Sequence, residues 1–231
     1  MITVFTSSFN SAEYLAKAIE SVLGQTYTDF EYLLYDDGST DASWEIMNSY
    51  KDARIKTFKL EKQKNVGAVI NKSFHEARGD YWCWCPADDF FAPQLLEKAV
   101  DYGKDYPKSV LYNNAILIDK KGVVLEPRVA EKMTAAEFAE IVWESCPIGF
   151  SGIVIPDYVY RSLPFPEHLS FSEDFYWMIK ATILGIPFNG MPEFLSYKRK
   201  HKHSLTDRNY EAIFEQIPKI REELMAYKLG L

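Results

Sequence analysis

The chain is poor in cysteine, has no long apolar run and has no excess of positive charge. It holds three cysteines in 231 residues. Cys83 and Cys85 alternate along one apolar segment, which is typical of small buried side chains rather than of a C-x-x-C metal or redox pair. A reducing, cytoplasmic location is therefore expected. No segment approaches the roughly 20 apolar residues of a membrane helix, and the first residues, "MITVFTSSFN", do not resemble a signal peptide.

The charge balance excludes one broad class of partner. The formal net charge is −7 at pH 7, whereas a nucleic-acid surface needs a basic face that displaces counterions from phosphates. Basic residues concentrate in one place, the run "YKRKHKH" from Tyr197 to His203. Hydrophobic residues make up 47% of the chain, which is enough for a sizeable core, and no repeat or low-complexity tract interrupts them.

Apolar strand patterns and helical patterns alternate up to about residue 105, which predicts βαβ units and a mainly parallel sheet. In the first unit, Asn10 and Glu13 are spaced as a capping-box variant, and Gly24 follows the last helical position. The predicted strands lie at residues 2–9, at the start of 30–40, at 54–60 and at 81–85. The predicted helices lie at 10–24, around Trp44 and Met47, at 68–77 and at 93–103.

The pattern changes in the second half of the chain. Two strands joined by a Lys-Lys-Gly turn are predicted within 109–127, an amphipathic helix at 135–145 and a glycine-rich strand or loop at 149–156. Ser172 is placed as the N-cap of a further helix, and the C-terminal helix is interrupted at Pro218. No linker rich in Pro, Gly or Ser divides the chain. We therefore predict one domain over residues 1–231, with an N-terminal half (1–105) and a C-terminal half (106–231).

Three of the predicted strands end in polar or acidic residues: Thr6-Ser7-Ser8, Asp36-Asp37 and Asp88-Asp89. In open parallel sheets, ligands bind at this carboxyl edge. A divalent cation, Mg²⁺ or Mn²⁺, takes one or two carboxylates together with substrate phosphates, and this is one interpretation of Asp88-Asp89. In the alternative interpretation, Asp88 caps the turn into the next helix, Asp89 is exposed, and Asp36-Asp37 belongs to a well-formed strand-to-helix loop.

Several motifs occur in order along the first hundred positions. They are Phe9-Asn10, the segment from Ser21 to Thr26, "DDGSTD" from Asp36 to Asp41, and "NVGAVINKSFHEARGDYWCWCPADD" from Asn65 to Asp89. In this order and spacing, the chain resembles the family 2 glycosyltransferases, inverting enzymes that use nucleotide-sugars. The resemblance implies the GT-A fold, an α/β architecture with a mixed, mostly parallel central sheet flanked by helices. It also implies that the nucleotide-sugar binds in the half 1–105 and the acceptor in the half 106–231.

One position departs from the family pattern. The Asp-x-Asp motif of the family would begin at Pro86, so only Asp88 and Asp89 remain here. By the resemblance, Asp88 contacts the metal and the diphosphate. Asp89 either holds a sugar hydroxyl or orients the loop.

The resemblance assigns the nucleotide site to four further positions. Thr6, Ser8 and Phe9 lie where the family cradles the nucleobase, with Phe9 in place of the usual Tyr as a stacking face. Asp36 lies where an acid accepts a hydrogen bond from the base imide.

The catalytic base is expected at the pair Glu173-Asp174. An inverting transfer needs a carboxylate that takes the proton of the acceptor hydroxyl, and Asp174 matches the family's candidate. The alternative is that both acids only complement the dipole of the helix that they open.

The basic run resembles the family's Arg-x-His-x-x-Ser-x-Ser, with Arg199, His201, Ser204 and Thr206 in register. By this resemblance, Arg199, Lys200 and His201 stabilise the leaving diphosphate, and His201 is a second candidate metal ligand. The alternative is a solvated loop.

The acceptor is expected against the segment 145–152, including Gly149, and against the aromatic positions Phe175 to Trp177. Together these features predict transfer from a nucleotide-sugar, a UDP-sugar being favoured, to a glycan or lipid-linked acceptor in cell-surface polysaccharide synthesis. Transient membrane association and a homodimer are both compatible with the sequence.

Two other functions were weighed. A catalytically inactive nucleotide-binding module of the same fold is favoured by Pro86 and opposed by the Glu173-Asp174 pair. A nucleotidyltransferase is disfavoured, because "TSSFNSAEY" has neither the glycine nor the basic residue of a triphosphate loop.

Overall fold

The computed structural model describes residues 1–130, 133–202, 204 and 208–230. Its strands and helices alternate through the N-terminal half, as the sequence indicates. The strands are β1 Ile2–Ser8, β2 Phe30–Asp36, β3 Ile55–Lys59, β4 Tyr81–Trp84, β5 Phe90–Phe91, β6 Val110–Ile118, β7 Val124–Arg128, β8 Val154–Pro156 and β9 Phe188–Arg199. The helices are α1 Ala12–Leu23, α2 Ser43–Ser49, α3 Val66–Glu76, α4 Leu95–Asp105, α5 Ala135–Ile141, α6 Asp157–Tyr160, α7 Glu173–Ile183 and α8 Tyr210–Leu229.

The strands form one mixed sheet in the order β3-β2-β1-β4-β8-β6-β9-β5, and β7 pairs with β6 at the side of this path. Strands β1 to β4 pair in parallel, and β6 and β9 form a second parallel pair. The pairings of β8 with β4 and β6, of β5 with β9 and of β7 with β6 are antiparallel. Most aligned residue pairs are therefore parallel, and the predicted mixed sheet is confirmed.

Each face of the sheet carries its own hydrophobic cluster, because successive side chains of a strand point to opposite faces. Trp82 lies on one face, stacked on Phe5 with ring centroids 5.2 Å apart. Cys83 and Cys85 lie on the other face as buried free thiols, as the sequence predicts. Both faces are thus covered by helices, and the ends of the strands are left for ligands.

The start of α1 differs from the prediction. Asn10 adopts a left-handed backbone conformation with φ 52°, and its side-chain oxygen accepts from the Thr40 N–H at 2.8 Å instead of capping the helix. The N–H of Ala12 donates to Asp41 Oδ2 at 3.0 Å. The helix is therefore capped by the loop that follows β2, a contact that local spacing cannot predict.

Three further local predictions are corrected. Ser172 precedes α7, but with φ 60° its side chain makes no capping bond. Helix α8 continues through Pro218, because the packing of Ile220 and Leu224 in the core stabilises it. The segment Phe175 to Trp177 is buried and does not face an acceptor, since Trp177 stacks on a neighbouring core ring.

Within the described residues, no helix combines the length and apolarity needed to cross a membrane.

Candidate active site

The ends of β1 and β2 bring two buried polar side chains together. Ser8 lies directly opposite Asp36 in the parallel register, and both residues are buried. Within the part of the chain that the structure describes, Ser8 Oγ and both carboxylate oxygens of Asp36 have no hydrogen-bond partner. A buried carboxylate without partners is costly, so this pair is arranged to receive a hydrogen-bond donor from a ligand.

The two neighbouring predicted nucleotide contacts, Phe9 and Thr6, differ in exposure. The Phe9 ring is 42% exposed directly after β1, so a planar base has room to stack on it. The Thr6 hydroxyl donates to the carbonyl oxygen of Cys85 at 2.6 Å and lies 2.8 Å from the Tyr32 hydroxyl. The Thr6 hydroxyl is therefore engaged inside the core, and a contact of this buried residue with the nucleobase stays a prediction.

A lysine that the sequence analysis missed lies beside Phe9. Lys62 Nζ lies 4.3 Å from the centroid of the Phe9 ring and forms an ion pair with the buried carboxylate of Asp37. Asp37 also accepts from the N–H of Gln63 at 2.7 Å. Asp37 thus anchors the loop between β3 and α3, and Lys62 adds a positive charge at the nucleotide edge. Lys62 lies three residues before the motif that begins at Asn65, but it belongs to no recognised motif, so no sequence signal marked it.

The two predicted metal ligands are brought together by the fold. His201 Nε2 lies 3.0 Å from Asp88 Oδ2, although 113 positions separate the two residues along the chain. The imidazole of His201 is buried against the ring of Tyr14, with centroids 4.9 Å apart. Its Nδ1 has no partner among the described residues.

This pair fits a divalent cation that is completed by substrate oxygens. Among the described residues, no group of three or more His, Cys, Asp or Glu side chains converges as a metal site. Mg²⁺ and Mn²⁺ sites that bind nucleotides commonly use one or two protein ligands, with phosphates and water as the remainder. Asp88 and His201 supply such a set, and the lost acid at Pro86 is compatible with it.

Asp89 and Arg199 hold the Asp88 loop against the end of β9. The buried Asp89 accepts from the Arg199 N–H at 2.8 Å, so of the two predicted roles the structure favours orientation of the loop. Burial, and secondarily the Asp88 charge, raises the pKa of Asp89 to about 7. The Arg199 guanidinium donates to the carbonyl oxygens of Asp88, Asp119 and Lys120 at 2.9 to 3.1 Å. These bonds use its Nε and Nη1 atoms, which carry only part of its hydrogen-bond donors, so the contact of Arg199 with diphosphate stays a prediction.

The acids at the start of α7 form a coupled pair. Burial, and then the charge of Asp174, raises the pKa of Glu173 to about 8. Burial also raises the pKa of Asp174, but the Phe175 N–H at 2.7 Å and the Lys198 ammonium oppose the shift. We therefore assign the negative charge of the pair to Asp174 and the proton to Glu173.

Lys198 influences both acidic groups electrostatically. Its positive charge lowers the pKa of both Asp89 and Asp174, so its ammonium lies near the Asp88-Asp89 loop and near the start of α7. The sequence predicted no function for Lys198 within the basic run. The alternation of strand β9 could have marked it, because Arg199 turns to the opposite face.

The remaining predicted positions line the outer part of the site. Lys200 is exposed at the end of β9, and Gly149 is exposed with no other heavy atom within 4 Å of the position that a Cβ would take. Trp84 Nε1 and Ser151 Oγ are buried near this segment and have no hydrogen-bond partner among the described residues. Neither residue was predicted from the sequence. Thr206 lies outside the described residues.

Comparisons with known proteins agree with this arrangement. The family model described as Glycosyl transferase family 2 matches residues 3–149. An uncharacterized glycosyltransferase of Methanocaldococcus jannaschii is 28% identical over 200 residues, which cover 84% of this chain and 69% of that protein. The Escherichia coli protein named UDP-Glc:alpha-D-GlcNAc-diphosphoundecaprenol beta-1,3-glucosyltransferase WfaP is 22% identical over 216 residues, covering 94% of this chain and 84% of WfaP.

Solved structures share the fold at low identity. Staphylococcus aureus TarS 1–349 in complex with UDP-GlcNAc superposes with a TM-score of 0.75 at 20% identity, covering 88% of this chain and 59% of that one. The mannosyltransferase PcManGT of Pyrobaculum calidifontis, in complex with GDP-Man and Mn²⁺, has a TM-score of 0.66 at 14% identity, covering 96% of this chain and 68% of that one. The present chain thus spans under two thirds of the TarS fragment.

These structural likenesses extend over most of the chain, including the mixed sheet. The fold is GT-A, as the sequence predicts. Because the family model matches more than half of its length, the chain belongs to glycosyl transferase family 2.

Proposed function

We propose that this chain is an inverting glycosyltransferase that moves a sugar from a nucleotide-diphosphate donor to a glycan or lipid-linked acceptor. The observation that carries the proposal is the buried, unpartnered carboxylate of Asp36 beside the unpartnered hydroxyl of Ser8. Both belong to strand ends at the edge where α/β sheets bind nucleotides.

The chemistry of this pocket favours one class of base. A carboxylate accepts from the imide N–H of uracil, thymine or guanine, whereas cytosine has no such N–H. Phe9 stacks on the base, and Ser8 supplies a hydroxyl next to it. We favour a UDP-sugar, a choice supported by the UDP-GlcNAc that TarS binds.

The diphosphate lies next to Asp88 and His201 in this proposal. A divalent cation bound there neutralises the charge that develops on the leaving diphosphate, and the Mn²⁺ and GDP-Man bound to PcManGT support this. In this proposal, Lys200, which is exposed directly after β9, contacts a phosphate oxygen.

Asp174 is the base in this proposal. The acceptor oxygen attacks the anomeric carbon, the bond from that carbon to the diphosphate oxygen breaks, and the acceptor proton passes to the Asp174 carboxylate. Glu173, protonated near neutral pH, leaves the negative charge on Asp174. Lys198 keeps this carboxylate ionised by its own charge.

The acceptor occupies the C-terminal half, next to Gly149 and the buried donors of Trp84 and Ser151. The name of WfaP describes a sugar linked through diphosphate to a polyprenol, and we propose a similar lipid-linked or polysaccharide acceptor, reached from the cytoplasmic side. Pro86 keeps the inactive nucleotide-binding module as the second candidate.

Calorimetric titration with UDP, GDP, dTDP and CDP, each with Mn²⁺ and with EDTA, tests the proposal. We expect one imide-bearing diphosphate to bind best and CDP to bind weakly. Asp36→Asn should weaken binding by roughly tenfold or more, the range for a hydrogen bond to a charged group, while the exposed Asp101→Asn leaves it unchanged. Absence of nucleotide binding would contradict the proposal. Binding without turnover of any nucleotide-sugar would select the inactive module.

A further inference from the structure

The hairpin of β6 and β7 exposes an apolar strand. Every residue of β7 is exposed, and Val123, Leu125 and Val129 are 59%, 51% and 64% exposed. Val124 is 60% exposed as well, and the register of β6 with β7 shifts between Leu117 and Ile118, which leaves Leu125 at a bulge. Val123, Val124, Leu125 and Val129 form the exposed apolar face of the hairpin, and such a surface is unusual where no partner covers it.

Basic side chains surround the turn end of this hairpin. Lys120 and Lys121 lie in its turn, and the parallel register of β6 with β9 brings the exposed Lys200 and Lys202 to the same end of the sheet. No described carboxylate forms an ion pair with any of these four lysines. Arg128 pairs with Glu126 at 3.5 Å. The local charge is therefore positive on a chain whose formal net charge is −7.

The turn itself is well ordered and holds these groups in place. Asp119 Oδ1 accepts from the N–H groups of Lys121 and Val123 at 2.8 and 2.9 Å, and Gly122 supplies the left-handed conformation with φ 87°. The Lys-Lys-Gly turn that the sequence predicts is thus confirmed. It presents two ammonium groups next to the apolar face.

Pro127 argues against a second strand as the occupant. It lies within β7, where the lack of an N–H interrupts the hydrogen-bonding edge that another chain would need. An apolar face bordered by lysines instead matches the boundary between acyl chains and anionic headgroups. We propose that the β6–β7 hairpin docks this chain on an anionic lipid bilayer.

The hairpin is physically linked to the candidate active site. One Arg199 guanidinium nitrogen donates to the carbonyl oxygens of Asp119 and Lys120 in the hairpin turn, and another donates to the carbonyl of Asp88. Docking at the hairpin therefore places the Asp88 loop next to the bilayer surface, where a lipid-linked acceptor presents its sugar. Only this last step rests on the proposed function.

Co-sedimentation with vesicles tests the docking. The 231-residue chain is mixed, without nucleotide, with vesicles of phosphatidylcholine alone or with about 30% phosphatidylglycerol, an anionic lipid. We expect binding to the anionic vesicles that weakens at high salt. Leu125→Ser should reduce the partition coefficient on the order of tenfold, whereas Leu184→Ser, a leucine 50% exposed after α7, leaves it unchanged.

A second matched pair tests the charge. Lys121→Gln should reduce binding about fivefold. Lys108→Gln, which changes an exposed lysine before the start of β6, at the end of that strand away from the turn, should not. Equal effects of hairpin and control variants, or no binding to either vesicle, would overturn the proposal. The proposal would also be overturned if the chain did not bind vesicles and analytical ultracentrifugation showed a concentration-dependent dimer that Leu125→Ser abolishes, because the hairpin would then be a dimer interface. Because nucleotide titration needs no vesicles, failure of the docking and failure of the transferase proposal are distinguishable.

Discussion

At the scale of single residues, Glu173 and Asp174 are adjacent acids with different environments. Burial raises the pKa of both carboxyl groups, but the Phe175 N–H and the charge of Lys198 lower the pKa of Asp174 only. This difference in surroundings favours Asp174 as the acid that carries the charge at neutral pH. The proposed base is therefore selected by its neighbours and not by its residue type.

Asp174→Asn removes the proposed proton acceptor. We expect the turnover number to fall by roughly 10² to 10⁴, the range for loss of a general base, with nucleotide affinity preserved, since Asp36 and Asp88 are untouched. Steady-state kinetics with a nucleotide-sugar donor, beside calorimetry of the diphosphate, measure both quantities. Full activity of Asp174→Asn would assign the base elsewhere, and Asp101→Asn serves as the control.

Glu173 predicts a pH dependence of stability. Its pKa is about 8 in the folded chain, above its ordinary value of 4.5, so the native state keeps a proton that the unfolded state loses between these values. The free energy of unfolding should therefore fall as pH rises from 5 to 8. Glu173→Gln should remove this part of the loss, roughly 3 kcal/mol, because each unit of pKa shift corresponds to about 1.4 kcal/mol.

Urea unfolding at pH 5 and pH 8 checks this expectation. Glu140→Gln, which changes an exposed glutamate, is the control and should lose as much stability as the wild type. If Glu173→Gln lost the same amount over this interval, the proton would reside on another group.

At the scale of elements, one aspartate joins two helices. Asp41 Oδ2 accepts from the N–H of Ala12 at the start of α1, and Oδ1 accepts from the N–H of Ser43 at the start of α2. Burial raises the pKa of Asp41, but the hydrogen bonds from Ser43 and from the Ala12 N–H outweigh it, so the pKa is lowered. The loop after β2, which also carries Asp36, is thereby tied to the loop after β1.

Asp41→Ala should destabilise the chain by about 2 kcal/mol, since a lost N-cap typically costs about 1 kcal/mol and two helices lose one each. Asp41→Asn, which keeps an acceptor oxygen, should recover part of the loss. Urea unfolding measures both variants, with Asp105→Ala at the end of α4 as the control. A change no larger than that of the control would show that water caps these helices equally well.

At the scale of the whole molecule, the two halves share one sheet and one core. Strand β5 of the N-terminal half pairs with β9 of the C-terminal half, and β4 pairs with β8. In the same cluster, Phe5 and Trp82 lie with Tyr160 and Trp177. The two halves predicted from the change in pattern therefore share strand pairs and one hydrophobic cluster, and the prediction that they form one folding unit can be tested.

A fragment of residues 1–105 should accordingly fail to fold. It would expose the edge of β4 and the rings that the second half covers, and an uncovered sheet face loses most of its stabilisation. Near-ultraviolet circular dichroism and urea unfolding of the fragment, beside the intact chain, give the measurement. A native-like spectrum with a cooperative transition would mean that residues 1–105 form an independent domain.

Much of the fold followed from local pattern, and the contacts that the sequence did not predict share a cause. The strands β1 to β4 and the acids at their ends were predicted because apolar runs and turn residues are adjacent in the chain. Thr6 and Arg199 were assigned to ligands by motif position, yet their partners are Tyr32, Cys85 and the hairpin turn, all distant in sequence. A motif specifies where a residue lies, but not whether the core has already used its hydrogen-bonding groups.

By itself, the sequence determined the alternation of strands and helices, the acidic strand ends and the family. These depend on periodicity and on motifs within a few residues of one another. The tertiary structure alone decided that Asp36 and Ser8 have no hydrogen-bond partner among the described residues, that His201 meets Asp88, that Lys198 lies near Asp89 and Asp174, and that the hairpin is exposed. Each of these is a matter of which distant groups meet or fail to meet in the folded chain, and only packing determines that.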